Sequence, residues 1–190
     1  MKKIFAAIIF VFICYTSSFA AFFIDGYAAN IDAGDLKNQT GLGFALGFGI
    51  TPNINFKFAS TMTDYTENAN EADEINYEHV TFLGGIEFIP YFPQLEAYKI
   101  QWKSSLLVGA GKSSVEPKNG EEVSDMGTVI SFWTGLQYDL TQIISPYLEI
   151  GYHKASYVHD FEKASVGGYQ IAIGVRFYVF GNKDYTSEYQ

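Results

Sequence analysis

Six charged residues interrupt the apolar segments of this 190-residue chain, and each stands in an alternation phase opposite the large apolar side chains. Three are acidic and three are basic. They are Asp25, Lys57, Glu87, Lys103, Glu149 and Arg176. A charge buried alone is strongly unfavourable or takes a shifted pKa, so a buried set of both signs is tolerable when its members pair. The chemistry that these residue types offer is therefore an ionic layer.

The last of these charges shows the kind of segment that carries them. In "GYQIAIGVRFYVFG", residues 167–180, large apolar side chains occupy every second position, and Arg176 belongs to the other phase among small residues. Alternation with a period of two predicts a β-strand with one apolar face. If that face met a protein core, Arg176 would lie in water, whereas if it met lipid, Arg176 would lie inside the molecule.

Eight such strand-like segments follow one another along the chain. They are residues 21–31, 41–51, 53–63, 76–89, 98–111, 127–139, 146–157 and 167–180. We expect short connections after the second, fourth and sixth strands. We expect longer polar connections after the first, third, fifth and seventh strands. These are residues 32–40, 64–75, 112–126 and 158–165. Short turns on one rim and polar loops on the other are typical of an up-and-down outer-membrane barrel.

Two closed architectures fit eight antiparallel strands, and the non-apolar phase distinguishes them. A soluble lipocalin-like barrel turns its apolar phase inward, whereas a membrane barrel turns it toward lipid. In residues 41–51 the other phase is Gly43, Ala45, Gly47 and Gly49, which suits a crowded lumen better than a charged water-facing surface. A soluble sandwich with six ordinary surface charges is the alternative. The sequence therefore predicts an all-β, eight-stranded antiparallel up-and-down transmembrane β-barrel over residues 21–180.

In this barrel the six charges fall near the rim with short turns, and neighbouring strands carry opposite signs. The ionic layer should then plug that half of the lumen. The expected neighbours are Asp25 with Arg176, Arg176 with Glu149, Lys57 with Glu87, and Glu87 with Lys103. A shallow vestibule above the layer could be lined by His79, Trp133, Gln137 and His153.

Other chemistry finds little support in the sequence. His79, His153 and His159 lack a metal-ligand spacing, so we expect no metal and no cofactor. A deacylase-like pair of His153 and Ser156 would lie on opposite faces of one strand, because their spacing is odd. The acidic residues of 64–75 lack the spacing of a Ca²⁺ loop and are expected to be solvated. We therefore predict that the protein is not an enzyme.

The ends of the chain and its charge constrain its location and partners. Residues 1–20 combine two lysines, an apolar run and a small-residue ending, as a signal peptide does, and a lipoprotein cut before Cys14 is the alternative. Cleavage after Ala20 would change the net charge from −9 to −11, which disfavours a nucleic-acid partner. Residues 181–190 are expected to form a flexible tail.

The chain resembles the small bacterial outer-membrane barrels of the OmpX, OmpA-barrel and OmpW type. The resemblance rests on "GLQYDLTQIISPYLEIGY" (135–152), "SLLVGAGKSS" (105–114) and "ITPNINFKFAS" (50–60). It implies an outer-membrane location, contact with lipid and a lipopolysaccharide-type surface, and recognition by the barrel-insertion machinery. Such proteins commonly end at a terminal Phe, whereas ten residues follow Phe180 here.

These observations predict a monomeric barrel with a structural or surface-interaction role. Its polar loops would face outward toward an extracellular ligand that the sequence does not identify. A narrow channel for small or hydrophobic solutes, as proposed for OmpW-like proteins, is the alternative function.

Overall fold

The structure is a computed structural model and describes residues 21–157 and 166–180. Eight strands dominate it. They are β1 (Phe22–Asp32), β2 (Asn38–Thr51), β3 (Ile54–Glu67), β4 (Ile75–Phe88), β5 (Ile100–Pro117), β6 (Val123–Tyr138), β7 (Ile144–Tyr157) and β8 (Val166–Phe180). Residues 1–20, 158–165 and 181–190 lie outside the description, and with them the predicted signal peptide, one predicted loop and the predicted tail.

The eight strands form a closed antiparallel barrel in which each strand pairs with its neighbours in sequence. The seam between β1 and β8 closes the sheet, and it places Asp25 opposite Arg176. Because every strand has two hydrogen-bonded neighbours, no edge is left unpaired. The predicted fold class, an eight-stranded up-and-down barrel, is confirmed.

The apolar phase of the strands faces outward. On β5, Leu106 is 60% exposed while the next residue, Leu107, is 1% exposed, because successive side chains point to opposite faces of a strand. The same outward phase carries large apolar side chains around the whole barrel, including Phe44, Phe82 and Ile173. An exposed apolar surface of this extent is typical of a barrel that spans lipid.

The inward phase fills the lumen with side chains. Small residues such as Ala45, Ala59 and Ala172 leave room for larger ones, among them Leu107 and Trp133. Eight strands enclose an interior that side chains can fill, and the small residues let that interior close. The prediction that the small-residue phase faces a crowded lumen is therefore confirmed.

The predicted contrast between short and long connections is wrong for the described part of the chain. β2, β3, β5 and β6 extend beyond their predicted outer ends, which leaves connections at 33–37, 68–74 and 118–122. The longest described connection, residues 89–99, belongs to the rim that was expected to have short turns. Hydrophobic alternation ends where lipid ends, whereas backbone pairing continues into water, so the sequence pattern underestimates strand length.

Two short helices accompany the barrel. A 3-10 helix, Gly34–Leu36, connects β1 to β2, and α1 (Pro93–Glu96) lies in the connection between β4 and β5. α1 begins with a proline, whose fixed φ suits the first turn of a helix. Within the described ranges, neither helix has the length and apolar character needed to cross a membrane.

The outward apolar surface can be tested on β5 with two residues of the same phase. Leu106→Arg should destabilise the barrel in a bilayer by about 2–4 kcal/mol, because it places a charge against lipid near the middle of the strand. Glu116→Arg, on the same face but near the end of β5, should change stability by less than about 1 kcal/mol. Urea unfolding in lipid vesicles, followed by tryptophan fluorescence, measures both. Equal effects of the two variants would contradict a lipid-facing surface.

Candidate functional site

Arg176 on β8 is the centre of a buried ionic cluster. Its guanidinium donates to both carboxylate oxygens of Asp25, at 2.7 and 2.8 Å, and to both carboxylate oxygens of Glu87, at 2.8 Å each. All three side chains have no exposed surface. Bidentate guanidinium–carboxylate contacts are the strongest kind of charged hydrogen bond in proteins, and Arg176 makes two of them.

Lys57 completes this cluster from β3. Its ammonium lies 3.4 Å from Asp25 Oδ2 and 3.5 Å from Glu87 Oε2, and Asn55 donates a hydrogen bond to Glu87 Oε1 at 2.9 Å. Two carboxylates and two cations make the cluster electrically neutral. Neutrality and near-complete hydrogen bonding offset the desolvation of four buried charges.

The cluster crosses the lumen from wall to wall. In a closed ring of eight strands, β4 and β8 occupy opposite positions, so the contact between Glu87 and Arg176 spans the interior. Asp25 and Lys57 approach from strands between those two walls. The side chains therefore form a bar across the lumen rather than a ring along its wall.

A second ion pair lies on the other side of the lumen. Lys103 on β5 and Glu149 on β7 approach to 3.4 Å, and both side chains are buried. The Lys103 ammonium also lies 3.3 Å from the centre of the Tyr147 ring, a cation–π contact. In the same way, the Arg176 guanidinium lies 3.6 Å from the centre of the Phe23 ring. Each cluster thus has an aromatic ring against one of its cations.

Two glycines provide the space for these rings. A Cβ atom at Gly47 on β2 would overlap with the ring of Phe23, and a Cβ atom at Gly174 on β8 would overlap with the ring of Tyr147. Each aromatic ring therefore packs directly on the backbone of a glycine. The sequence analysis assigned the small residues to a crowded lumen, but it did not identify the rings that they accommodate.

The structure brings all six predicted charges into the lumen, but with partners that differ in part from those expected. Arg176 is opposite Asp25, as expected, whereas its opposite residue on β7 is Ser145 rather than Glu149. Glu87 contacts Arg176 and Lys57, and the ion pair of Lys103 is with Glu149. The stagger of neighbouring strands and the reach of long side chains across the lumen decide these partners.

The four residues predicted to line a shallow vestibule are all buried in the lumen. Gln137 lies at the rim that holds both chain ends, where it donates to Tyr178 at 3.0 Å. His79, Trp133 and His153 surround a small enclosed cavity above the ionic layer. Strand phase alone does not reveal how deeply these side chains are buried.

A polar network that the sequence analysis missed closes the upper lumen. His79 Nδ1 lies 2.7 Å from the hydroxyl of Ser113, which is also hydrogen-bonded to Tyr157. Nearby, the hydroxyl of Thr63 donates to Gln39 at 2.9 Å. The sequence offered one indication that these residues face the lumen, because each occupies a strand position that alternates with outward apolar side chains.

The rim away from the chain ends is acidic, and two of its connections contact one another. Lys118 donates to the backbone carbonyl of Glu71 at 3.0 Å and lies 3.3 Å from Glu74 Oε2. Asn119 donates to the carbonyl of Ala72 at 3.1 Å. The backbone N–H of Asn70, together with the Lys118 ammonium, lowers the pKa of the Glu74 carboxyl. These contacts join the β3–β4 and β5–β6 connections into one surface.

The charge of this rim is strongly negative. The described outer parts of the strands and their connections contain twelve acidic residues and four basic ones. The acidic residues are Asp32, Asp35, Asp64, Glu67, Glu71, Asp73, Glu74, Glu78, Glu116, Glu121, Glu122 and Asp125, and the basic ones are Lys37, Lys112, Lys118 and Lys154. Within residues 21–157 and 166–180, no cluster of three or more histidine or acidic side chains forms a metal-binding geometry.

The rim that holds the chain ends contains a larger cavity, of about 410 Å³. The β4–β5 connection forms one wall with Phe92 and Leu95, and Leu140 and Tyr178 lie on other sides. Polar groups such as Gln101 are interspersed among these apolar side chains. Asn55, which donates to Glu87, is among the residues that line this cavity, so the cavity adjoins the ionic cluster.

Comparison with known proteins identifies the fold. No protein-family model matches the chain, and no curated protein sequence matches it. The chain is similar in structure to Neisserial surface protein A, at 14% identity and a TM-score of 0.63, over 84% of this chain and 98% of that one. It is also similar to a major outer membrane protein from Thermus thermophilus, at 10% identity and a TM-score of 0.61, over 83% of this chain and 99% of that one.

A third similar structure is that of Ail, the attachment invasion locus protein of Yersinia pestis, in complex with the heparin analogue sucrose octasulfate. The identity is 13% and the TM-score 0.53, over 83% of this chain and 97% of that one. The resemblance to small outer-membrane barrels is therefore confirmed at the level of the fold. The chain is a transmembrane β-barrel of the bacterial outer-membrane type, with its apolar face toward lipid.

The ionic cluster makes a specific prediction about Arg176. Arg176→Ala should lower the free energy of unfolding by about 3–5 kcal/mol, because it leaves two buried carboxylates with one remaining cation. Adding Glu87→Gln should recover part of this loss, since the cluster becomes neutral again. Lys37→Ala, which removes an exposed ion pair with Glu67, should cost less than about 1 kcal/mol. Reversible urea unfolding measures all three, and no recovery in the double variant would contradict charge balance.

The glycine beside Phe23 makes a second prediction. Gly47→Ala should destabilise the barrel by about 1–3 kcal/mol, because the new methyl group displaces the ring on which Arg176 packs. Gly26→Ala is the matched control: it lies on a neighbouring strand of the same barrel, and its added Cβ meets no atom. Thermal unfolding in detergent compares the two variants. Equal unfolding temperatures would show that the ring can move without cost.

Proposed function

We propose that the protein is a non-enzymatic, monomeric barrel of the outer membrane whose lumen is closed by the ionic layer and whose acidic rim interacts with external partners. One observation carries this proposal: Arg176 and Glu87 meet across the lumen from opposite walls, with four charges in a neutral and hydrogen-bonded cluster. A solute would have to break these contacts to pass. The closed lumen leaves the two rims as the surfaces available for function.

The rim away from the chain ends is the better interaction surface. Both chain ends of an even-stranded barrel lie on one rim, which is the periplasmic one in bacterial outer-membrane barrels, so the acidic rim faces outward. Two of its three described connections, residues 68–74 and 118–122, are joined through Lys118. The excess of carboxylates favours a cationic partner, because complementary charge steers association. By contrast, the sulfated ligand in the structure of Ail is anionic, so it would not be attracted to this acidic rim.

A narrow channel is the second candidate function. The cavity of about 410 Å³ at the rim with the chain ends favours it, because that cavity adjoins the ionic cluster at Asn55. Conduction would then require the layer to open.

Single-channel recording distinguishes the two functions. The mature chain, residues 21–190, is refolded in detergent, checked by its heat-modifiable gel band and inserted into planar bilayers. We expect no regular conductance steps from the wild type over many insertions, because side chains close the lumen. Regular steps from the wild type would overturn the closed lumen and support the channel.

A further inference from the structure

The buried polar atoms that lack a hydrogen-bond partner are unevenly distributed in the lumen. Within the described residues there are eight such atoms, and they belong to seven side chains of β4, β5, β6 and β7. These side chains, which we call the polar file, are His79, Lys103, Ser105, Gln137, Tyr147, Glu149 and His153. A buried polar atom without a partner costs free energy, so native proteins retain few of them unless water completes their hydrogen bonds.

The two sides of the ionic layer differ in how well their charges are bonded. The Arg176 guanidinium makes four hydrogen bonds of 2.7–2.8 Å, and its cluster contributes no atom to the unpartnered set. Lys103 and Glu149 approach to 3.4 Å, but Lys103 Nζ and Glu149 Oε1 have no hydrogen-bond partner among the described residues. Direct hydrogen bonds therefore hold one side of the layer, whereas the other side needs water to complete its bonding.

Strand register stacks the inward residues of β5, β6 and β7 in levels. From the rim with the chain ends upward, the levels are Gln101 with Gln137 and Tyr147, Lys103 with Glu149, Ser105 opposite Trp133, and Ser131 with His153. Successive levels are two residues apart, or about 6.6 Å along a strand. Two hydrogen bonds that share one water molecule span about 5.5 Å, so one water between levels is enough to connect polar groups that reach toward each other.

The lower end of the polar file meets the cavity of about 410 Å³. Gln137 donates to Gln101 at 3.3 Å and to the Tyr178 hydroxyl at 3.0 Å, and both of these partners line that cavity. Both partners are also only partly buried. The first level of the polar file is therefore within hydrogen-bond reach of water at this rim.

The upper end of the polar file continues to the acidic rim. The ring centres of His153 and His79 are 5.5 Å apart, and the two side chains line an enclosed cavity of about 10 Å³, which has room for about one water molecule. His79 Nδ1 lies 2.7 Å from the hydroxyl of Ser113, which is hydrogen-bonded to Tyr157. Because Tyr157 is the last residue of β7, this series of polar groups ends at the rim.

We infer that a single file of water molecules crosses the ionic layer along the polar file and conducts protons, while larger solutes and hydrated ions are excluded. Lys103, Glu149 and the two histidines are titratable groups placed in series, as in the proton relays of membrane proteins. Each water or side chain accepts one proton and releases another to the next group. One proton thus enters at one rim, one leaves at the other, and every group returns to its initial state.

This activity goes beyond the proposed function and does not require the lumen to open. The bonds between Arg176, Asp25 and Glu87 stay intact, because the polar file passes beside them on β5, β6 and β7.

Proton flux into lipid vesicles tests the inference. The mature chain, residues 21–190, is reconstituted into vesicles that contain potassium and the pH-sensitive dye pyranine. Valinomycin then lets potassium leave into potassium-free buffer, and the potential that results, negative inside, drives protons inward. We expect vesicles with the protein to acidify several times faster than protein-free vesicles. Potassium release before valinomycin is added should equal that of protein-free vesicles.

A pair of variants on β5 locates the pathway. Ser105→Val should reduce acidification to the rate of protein-free vesicles, because it places methyl groups where water must pass. Ser104→Val is the matched control, since its side chain is on the opposite face of the same strand, and it should leave proton flux unchanged.

A second pair on β7 separates conduction from stability. The Tyr147 hydroxyl has no partner among the described residues, so Tyr147→Phe should leave the unfolding temperature unchanged while it lowers proton flux. Tyr152→Phe, on the exposed outer face of β7, should change neither quantity.

The heat-modifiable gel band shows which variants are folded, and the pair on β7 decides if Ser105→Val does not fold. A wild type that acidifies vesicles no faster than the protein-free rate would overturn the water file and leave the proposed function intact. Folded inner variants that conduct as fast as the wild type would do the same. Potassium release without valinomycin would overturn the closed lumen of the proposed function, and with it the exclusion of hydrated ions.

Discussion

Arg176 holds the interior of this barrel together because it binds two carboxylates that come from different walls. Asp25 lies beside it across the closing seam, and Glu87 reaches it from the opposite side of the lumen. Losing the guanidinium would leave both carboxylates in a medium that stabilises charge poorly. The Phe23 ring packs against the Arg176 guanidinium, and Gly47 leaves the space that this ring occupies.

Charge is distributed in this molecule according to its surroundings. Inside the lumen, positive and negative side chains are equal in number, so that each buried charge has a compensating partner. Around the outside, a broad band of apolar side chains faces lipid. The excess negative charge lies on the rim away from the chain ends, where water solvates it. A charge moved from one of these three zones to another would meet the wrong dielectric environment.

This separation relates the structure to the proposed role. Among the described residues, a neutral ionic cluster crosses the lumen and leaves no wide polar path, which suits the structural role proposed above. Lys118 joins two of the outer connections, residues 68–74 and 118–122, into one acidic surface that suits contact with a partner. The larger cavity on the other rim and the small cavity among buried histidines are separated by the ionic layer.

Strand alternation in the sequence was sufficient to predict the eight strands, the lipid-facing phase and the inward position of all six charges, because side chains on a strand alternate between two faces. The sequence alone did not determine which charges meet. Arg176 contacts Glu87 rather than Glu149, Gln137 lies at the rim with the chain ends, and His79 and His153 share one cavity. These pairings depend on strand stagger and on distances across a closed lumen. Both are properties of the whole barrel, and no local pattern of residues encodes them.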